Sequence, residues 1–250
     1  MQVQNTREHV IPFIQRSKLI KGGERVLEIG CGEAGVLKAF IDKGCIGVGV
    51  ELDEPRLVYA REWMSNEMNA GKVSFISKDI YKVDAKELGG KFDIIVLKDV
   101  IEHIHDQQKL IAWMKDFLIP GGVIFFGFPP WQMPFGGHQQ VMRNKLLSKM
   151  PYTHLLPGFL YKGLLKAFNE DAAAFMEIKE TGISIERFEK IVKRTGFRIV
   201  NQLHYFLNPI YEYKFGLKAK VQVPFVTHVP YLRNYITTCV YYLITPLMNK

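Results

Sequence analysis

The sequence predicts an α/β fold in which a doubly wound sheet of about seven strands carries helices on both faces. Short apolar runs alternate with segments of helical period through residues 1–128, which is typical of a parallel sheet. A glycine-rich turn after the first run marks a strand end, where open α/β sheets bind their ligands. The alternation stops at Phe128, so we expect a helical insertion after the fifth strand.

The elements of the first half are bounded by glycines and by changes of apolar period. Gly22-Gly23 ends an amphipathic N-terminal helix, Gly44 ends the helix after the glycine-rich turn, and Pro55 favours the start of the next helix. The predicted strands are Arg25–Ile29, Cys45–Leu52, Lys72–Ser77, Phe92–Leu97 and Val123–Phe128, and the predicted helices are Thr6–Ile20, Ala34–Lys43, 55–70 and Asp106–Leu118.

The elements of the second half are fewer. Ser184 is a typical N-cap and Gly196 a typical stop for the helix between them. β-branched and aromatic residues favour two late strands. The predicted elements are helical patches at Val141–Met150 and Gly158–Asn169, a helix at Ile185–Thr195, and strands at Phe197–Leu207 and Ile236–Ile244.

These elements indicate a single domain over residues 1–250. We expect a cofactor-binding core at 1–128, an insertion that covers the acceptor at 129–183, and the completion of the sheet at 184–250, with a second insertion at 208–234. The chain is long enough for one well-buried α/β core.

Composition excludes several classes of protein. The chain is 48% hydrophobic, its mean hydropathy is −0.01, and its first residues are polar, so we expect a cytoplasmic protein without a secretory signal. Cys31, Cys45 and Cys239 are widely spaced, which argues against a disulfide framework or a structural zinc site. No acidic cluster suggests a divalent metal, and we expect none.

Positive charge is concentrated in the second half. Residues 1–128 hold 17 Lys and Arg against 18 Asp and Glu, whereas residues 129–250 hold 16 against 7. The whole formal excess of +8 therefore lies after Phe128, where it indicates an anionic partner or surface. A charged but merely solvated face is the alternative explanation.

The segment Val26-Leu27-Glu28-Ile29-Gly30-Cys31-Gly32-Glu33-Ala34-Gly35 indicates a cofactor site. Its glycines let a ligand approach the backbone, and a helix follows. Gly30-x-Gly32-x-x-Gly35, with Glu51 placed 21 residues after Gly30, matches a dinucleotide fingerprint. Glu28 stands inside the strand, where an acid does not help to bind a pyrophosphate but would attract a ligand with an ammonium and a sulfonium group.

The ordered set VLEIGCGEAG, GVELD, SKDI, FDIIVLKDVIEHI and LIPGGVIFF resembles the class I S-adenosylmethionine-dependent methyltransferases, in particular their small-molecule branch. The resemblance covers residues 20–128, with a weaker similarity at 184–199. It implies a Rossmann-like fold in which the last strand is inserted antiparallel. The family often has a glycine where this chain has Ala34.

The resemblance also implies the cofactor-binding residues. Gly30, Cys31 and Gly32 would lie beside the methionine part, and Glu28 would favour its ammonium. Glu51 would accept both ribose hydroxyls, followed by Leu52, and Asp79 with the Ile80 N–H would bind the adenine. The set is completed by Lys98 and Asp99 at the methionine end.

Acceptor activation is less clearly encoded. Segment 131–169 contains no Asp or Glu, so His138 and His154 are its candidate bases, and His138, in Phe135-Gly136-Gly137-His138, is the group we expect to take a proton or orient the substrate. For Glu102 and His103 we favour a structural role, at the start of the helix after strand 4.

We therefore expect methyl transfer from S-adenosylmethionine to a small-molecule or lipid-linked acceptor, through oxygen. Phe128-Pro129-Pro130-Trp131 resembles the motif of base methyltransferases but follows strand 5 instead of strand 4, which disfavours a nucleic acid. A nucleic-acid methyltransferase, an NAD-dependent oxidoreductase and a non-catalytic cofactor-binding protein are the alternatives.

The acceptor is expected to be anionic, and the chain to contact the inner membrane surface peripherally. Gly158–Asn169 supports this because apolar residues and two lysines, Lys162 and Lys166, alternate along it.

Overall fold

An eight-stranded sheet organises the computed structural model, which describes residues 1–247. The strands are β1 (Arg25–Ile29), β2 (Ile46–Glu51), β3 (Val73–Ser77), β4 (Phe92–Lys98), β5 (Leu118–Phe128), β6 (Phe197–Leu207), β7 (Lys220–Val221) and β8 (Cys239–Pro246). Their order is β3-β2-β1-β4-β5-β8-β6-β7. Strands β1 to β5 are parallel, and β8 lies antiparallel between β5 and β6.

Helices cover both faces of this sheet. They are α1 (Gln2–Asn5), α2 (Ile11–Gln15), α3 (Gly35–Ile41), α4 (Glu54–Trp63), α5 (Ser65–Asn69), α6 (Gln107–Met114), α7 (Gly158–Ala167), α8 (Ala172–Thr181), α9 (Ile185–Arg194), α10 (Ile210–Phe215), α11 (Pro224–Thr227) and α12 (Leu232–Tyr235). A π-helical segment, Thr6–Val10, joins α1 to α2. Each helix is too short or too polar to cross a lipid bilayer, within residues 1–247.

The predicted fold class is confirmed, including the inserted antiparallel strand. The sheet has one strand more than expected, because the two-residue β7 pairs with β6 inside the segment predicted to be irregular. That segment also contains α10, α11 and α12. The last three residues of the predicted 184–250 part lie outside the described residues.

Some predicted boundaries were wrong. The patch 141–150 contains only short 3₁₀ turns, because Asn144 accepts the Leu146 and Leu147 N–H groups locally. Helix α8 was not predicted; it begins where Asp171 accepts two backbone N–H groups. The predicted helix 55–70 divides at Met64 into α4 and α5.

Alternate residues of the central strands supply two cores. Leu27, Ile95 and Phe126 pack on one face, and Val26, Ile94 and Phe125 pack on the other, as the two-residue strand period requires. A third, smaller core lies within residues 129–183 and is formed by Met142, Leu147, Tyr161, Leu165 and Phe175. The insertion is therefore a packed layer of its own, next to the ends of the central strands.

Candidate active site

The turn after β1 adopts left-handed backbone conformations. Gly30 has φ 68° and Gly32 has φ 52°, and a Cβ on Gly30 would lie 2.6 Å from a methyl group of Val100. Ala34 takes the same left-handed conformation, with φ 59°, immediately before α3. The loop therefore keeps its curved shape although alanine stands where the family often has glycine.

Glu51, at the end of β2, joins this turn to the next one. Its Oε2 accepts the Gly32 N–H at 2.7 Å, and its Oε1 accepts the N–H groups of Leu52 at 2.9 Å and Asp53 at 3.0 Å. The Glu51 side chain is thereby fixed in orientation. A carboxylate has about four acceptor positions, so it can still accept from a ligand hydroxyl.

Glu28 lies behind the turn. It is buried, its Oε2 accepts the Leu37 N–H in the first turn of α3 at 2.8 Å, and burial raises its pKa to about 8 although that hydrogen bond and Lys98 oppose the shift. The Glu28 side chain thus connects β1 to α3.

Cys31 is also directed away from the turn. A Cβ on Gly49 of β2 would lie 2.8 Å from its sulfur, and burial raises the pKa of its thiol. The thiol therefore stays protonated and fills space beside β2.

A cavity of about 300 Å³ opens in front of these turns. Six of the residues predicted to bind the cofactor line it: Gly30, Glu51, Leu52, Asp79, Ile80 and Asp99. Leu52 is 73% exposed and Ile80 is buried, so an aromatic ring placed here would contact an apolar side chain. Asp79 accepts the Tyr81 N–H at 3.0 Å.

The four other predicted residues are buried and are not part of this lining. They are Glu28, Cys31, Gly32 and Lys98. Arg56, on α4, lines the cavity and was not predicted; the ideal Cβ position on Gly32 is 3.1 Å from its guanidinium carbon.

Asp99 is positioned by an ion pair just after β4. The buried Lys98 ammonium lies 2.6 Å from its Oδ2, and the Asp99 N–H donates to the Gly127 carbonyl of β5 at 2.7 Å. Its backbone is left-handed, with φ 57°. Lys98 therefore acts through Asp99, which is the residue exposed to the cavity.

A second cavity, of about 570 Å³, meets the first at Asp99. Residues from the insertion form one wall, and residues after β6 form the other. The lining is mainly apolar and includes Met133, Phe135, Val141, Leu207, Ile210, Phe215 and Leu217.

Glu102, His103 and His138 lie together where the two cavities meet. One ligand atom from each lies within 4.8 Å of the others, and the two imidazole rings meet edge to face at 4.9 Å. His138 and Glu102 line the larger cavity, and His103 lines the smaller. Burial lowers the pKa of His138 to about 4, so this ring is neutral near pH 7.

Glu102 does not make the contacts that a structural role would require. It lies in a single 3₁₀ turn, Ile101–His103, and the following helix, α6, begins only at Gln107. Glu102 is 4% exposed, and neither carboxyl oxygen has a hydrogen-bond partner in the part of the chain that the structure describes. Burial and the Asp99 charge raise the pKa of Glu102 well above its usual value.

His154, the second candidate base, is structural. Its Nε2 donates to the Trp131 carbonyl at 2.7 Å, and its Nδ1 accepts from Gln139 at 2.7 Å. Gly137 packs against it, because a Cβ there would lie 2.3 Å from the His154 Cβ. The glycines before His138 thus permit close packing.

Comparisons with known proteins assign the family. Residues 4–202 match the methyltransferase-domain family. The chain belongs to this family. The resemblance to class I S-adenosylmethionine-dependent methyltransferases is thereby confirmed, S-adenosylmethionine is the cofactor that the family uses, and the oxidoreductase alternative is not supported.

Curated relatives share only part of their length with this chain. An uncharacterized methyltransferase of Mycobacterium sp. (strain KMS) is 31% identical over 128 residues, which is 50% of this chain and 46% of the relative. A ubiquinone biosynthesis O-methyltransferase of Thiobacillus denitrificans is 28% identical over 104 residues, 42% of this chain and 44% of the relative. The chain thus spans about half the length of these relatives.

Solved structures show the same fold. An S-adenosylmethionine-dependent methyltransferase from Clostridium acetobutylicum has a TM-score of 0.61 at 13% identity, covering 98% of this chain and 92% of that one. Magnesium protoporphyrin IX methyltransferase from Synechocystis, with bound S-adenosylhomocysteine, has a TM-score of 0.54 at 14% identity, covering 96% and 82%.

We predict that Glu51→Gln weakens S-adenosylhomocysteine binding about 10- to 100-fold. Hydrogen bonds to a charged group are worth about 1.5–3 kcal/mol, and each 1.4 kcal/mol is about tenfold in Kd. Calorimetric titration measures the change. Glu54→Gln, at an exposed carboxylate that pairs with Arg61, is the control and should keep the wild-type Kd; an unchanged Kd in Glu51→Gln would contradict the assignment.

We predict that Glu28→Gln stabilises the ligand-free protein more at pH 8 than at pH 5. The folded pKa of about 8 exceeds the usual 4.5, so Glu28 contributes its full stability below pH 4.5 and loses it as the pH rises through 8. The Tm difference between the variant and wild type should therefore be a few degrees larger at pH 8 than at pH 5, since about 1 kcal/mol shifts Tm by about 2–4 °C in chains of this size. A Tm difference that is independent of pH, as expected for the exposed Glu33→Gln, would be evidence against a buried neutral Glu28.

Proposed function

We propose that this protein transfers the methyl group of S-adenosylmethionine to an oxygen of a small-molecule or lipid-linked acceptor. The observation that carries the proposal is that Asp99 lines both cavities. A cofactor bound across the strand ends would place its methionine end at this residue, and an acceptor in the larger cavity would face it there.

The larger cavity favours an apolar acceptor of modest size. Its volume of about 570 Å³ lies within the range of about 300–1,000 Å³ that is usual for small-molecule sites. Three apolar residues that line the cavity are also exposed at the protein surface: Val141 (74%), Phe215 (66%) and Leu217 (48%). An acceptor with a hydrophobic chain can therefore bind with that chain along this rim.

His138 is the group that we propose to act on the acceptor, as proton acceptor or orienting residue. It lines the larger cavity beside Asp99, and its lowered pKa keeps a ring nitrogen unprotonated near pH 7. A hydroxyl acceptor must lose its proton as its oxygen bonds to the methyl carbon. The O-methyltransferase relative supports transfer to oxygen.

Methyl transfer depends mainly on how the donor and the acceptor are aligned. The sulfonium of bound S-adenosylmethionine activates the methyl carbon for in-line displacement. The chain's part is to hold the donor through Glu51 and its neighbours, to hold the acceptor in the apolar cavity, and to exclude water from the junction at Asp99.

The exposed face of the insertion supports contact with a membrane surface. Helix α7 buries Tyr161 and Leu165 in the third core but exposes Phe159 (77%) and Leu160 (48%). Lys162 and Lys166 are exposed on the same helix. An apolar and basic helix of this kind binds at the interface of an anionic membrane, which would bring a lipid-linked acceptor close to the enzyme.

We predict that radiolabelled methyl groups from S-adenosylmethionine enter the small-molecule or lipid fraction of a cell extract. His138→Ala should lower this transfer by about 10²-fold or more, the usual contribution of a general base. The exposed His105→Ala is the control and should retain wild-type activity. Label confined to nucleic acid would contradict the proposal and favour the nucleic-acid alternative.

We predict that the double variant Lys162→Glu and Lys166→Glu loses at least tenfold in binding to anionic vesicles. Each lysine near such a surface contributes about 1 kcal/mol. Sedimentation at low and high salt measures the binding, which should weaken with salt. Lys190→Glu with Arg194→Glu, a pair at the same spacing on α9, is the matched control; equal loss in both double variants would indicate a general charge effect.

A further inference from the structure

The strongest unexplained feature is the unpaired carboxyl of Glu102. A buried polar group without a hydrogen bond costs free energy, and both of its oxygens lack a partner among residues 1–247. The group nevertheless lies on the wall of the larger cavity. A ligand that binds this carboxyl would remove the cost.

The nearest unengaged groups are two imidazoles. His103 and His138 each bring a ring nitrogen within 4.8 Å of a Glu102 oxygen and of each other. One carboxylate and two imidazoles form a donor set that suits divalent transition metals better than Mg²⁺ or Ca²⁺.

We propose that Glu102, His103 and His138 bind one divalent transition-metal ion at the junction of the two cavities. Donor atoms around a tetrahedral ion lie roughly 3.3–3.6 Å apart, given bonds of about 2.0–2.2 Å. The three ligand atoms, which lie within 4.8 Å of one another, therefore need to close by at most about 1.5 Å. His103 is exposed and His138 half-buried, so both have room to turn toward Glu102.

The charges around the site favour a cation. The ammonium of Lys98 acts on Glu102, and it is already paired with Asp99. With Glu102 ionised, these three groups carry a net charge of −1, which a bound divalent ion would offset. Asp99 also lines the larger cavity, so its carboxylate can contact a water molecule bound to the ion.

The ion would give the cluster a function that rests on the proposed methyl transfer. Three protein ligands would leave a coordination position open for an acceptor hydroxyl. A metal-bound hydroxyl loses its proton more readily, so the acceptor would release its proton to solvent as it binds the ion, before water is excluded from the junction. The oxygen would then bond to the methyl carbon as the carbon–sulfur bond breaks and its electron pair stays on sulfur. As a ligand of the ion, His138 would orient the acceptor, which is the second of the two roles proposed for it above.

The test is metal binding by the full chain without donor or acceptor. After treatment with a chelator and dialysis, the protein is titrated with Zn²⁺ and with Co²⁺, using calorimetry for both and visible absorption for Co²⁺. We expect one ion per chain. Mg²⁺ at the same concentrations should bind much more weakly.

Three variants make the test specific. Glu102→Gln and His138→Gln should each weaken Co²⁺ binding by at least about tenfold, a loss expected on removing a ligand because even outer-shell changes cost about 10- to 100-fold. His105→Gln, at an exposed histidine beside Glu177, should bind like wild type. Circular dichroism verifies that each variant is folded.

Two results would overturn the metal site: no stoichiometric binding by the wild type, or the same affinity in folded Glu102→Gln and His138→Gln variants. Because neither measurement needs methyl transfer, a chain that binds Co²⁺ but methylates no hydroxyl would refute the proposed function and leave the metal site standing.

Discussion

Two acidic side chains fix the loop on which the rest of the site depends. Glu51 binds the backbone of the turn after β1 and of the turn after β2, and Glu28 binds the first turn of α3. Because these bonds hold backbone N–H groups, the loop keeps its curvature even with Ala34 in a left-handed conformation. A cofactor bound here would therefore meet a loop whose shape is fixed before binding.

The insertion that we propose to cover the acceptor is built differently. Residues 129–183 pack around a core of their own, and they reach the sheet at the ends of β4 and β5. The sequence of such a layer can change without disturbing the packing of the parallel strands. Solved structures share the fold over nearly the whole chain at only 12–15% identity, so the fold alone does not name the acceptor.

The parallel sheet was predictable because local pattern encodes it. The strand Phe197–Leu207 has the predicted bounds. Glu51 and Asp79, which line the smaller cavity, were predicted because they follow short apolar runs at the strand ends. The motif order also predicted Asp99, which lines both cavities. Each of these predictions depends on residues that are close together in the sequence.

The cluster of Glu102, His103 and His138 was not predictable in the same way. His138 is brought to His103 by the path of the insertion, which no spacing along the chain reveals. The missing partners of Glu102 are likewise a property of packing. His154 shows the converse. Its place in an irregular segment without acidic residues made it a candidate base, but both of its ring nitrogens form hydrogen bonds.

The central claim is that donor and acceptor meet at Asp99, and a crystal structure with S-adenosylhomocysteine tests it most directly. The account predicts the adenine beside Leu52 and Ile80, ribose hydroxyls on Glu51, and the sulfur beside Asp99 facing the larger cavity. A ligand bound instead in the cavity between α1 and α4, where Val3, Tyr59 and Trp63 lie, with no contact to Glu51, would contradict it.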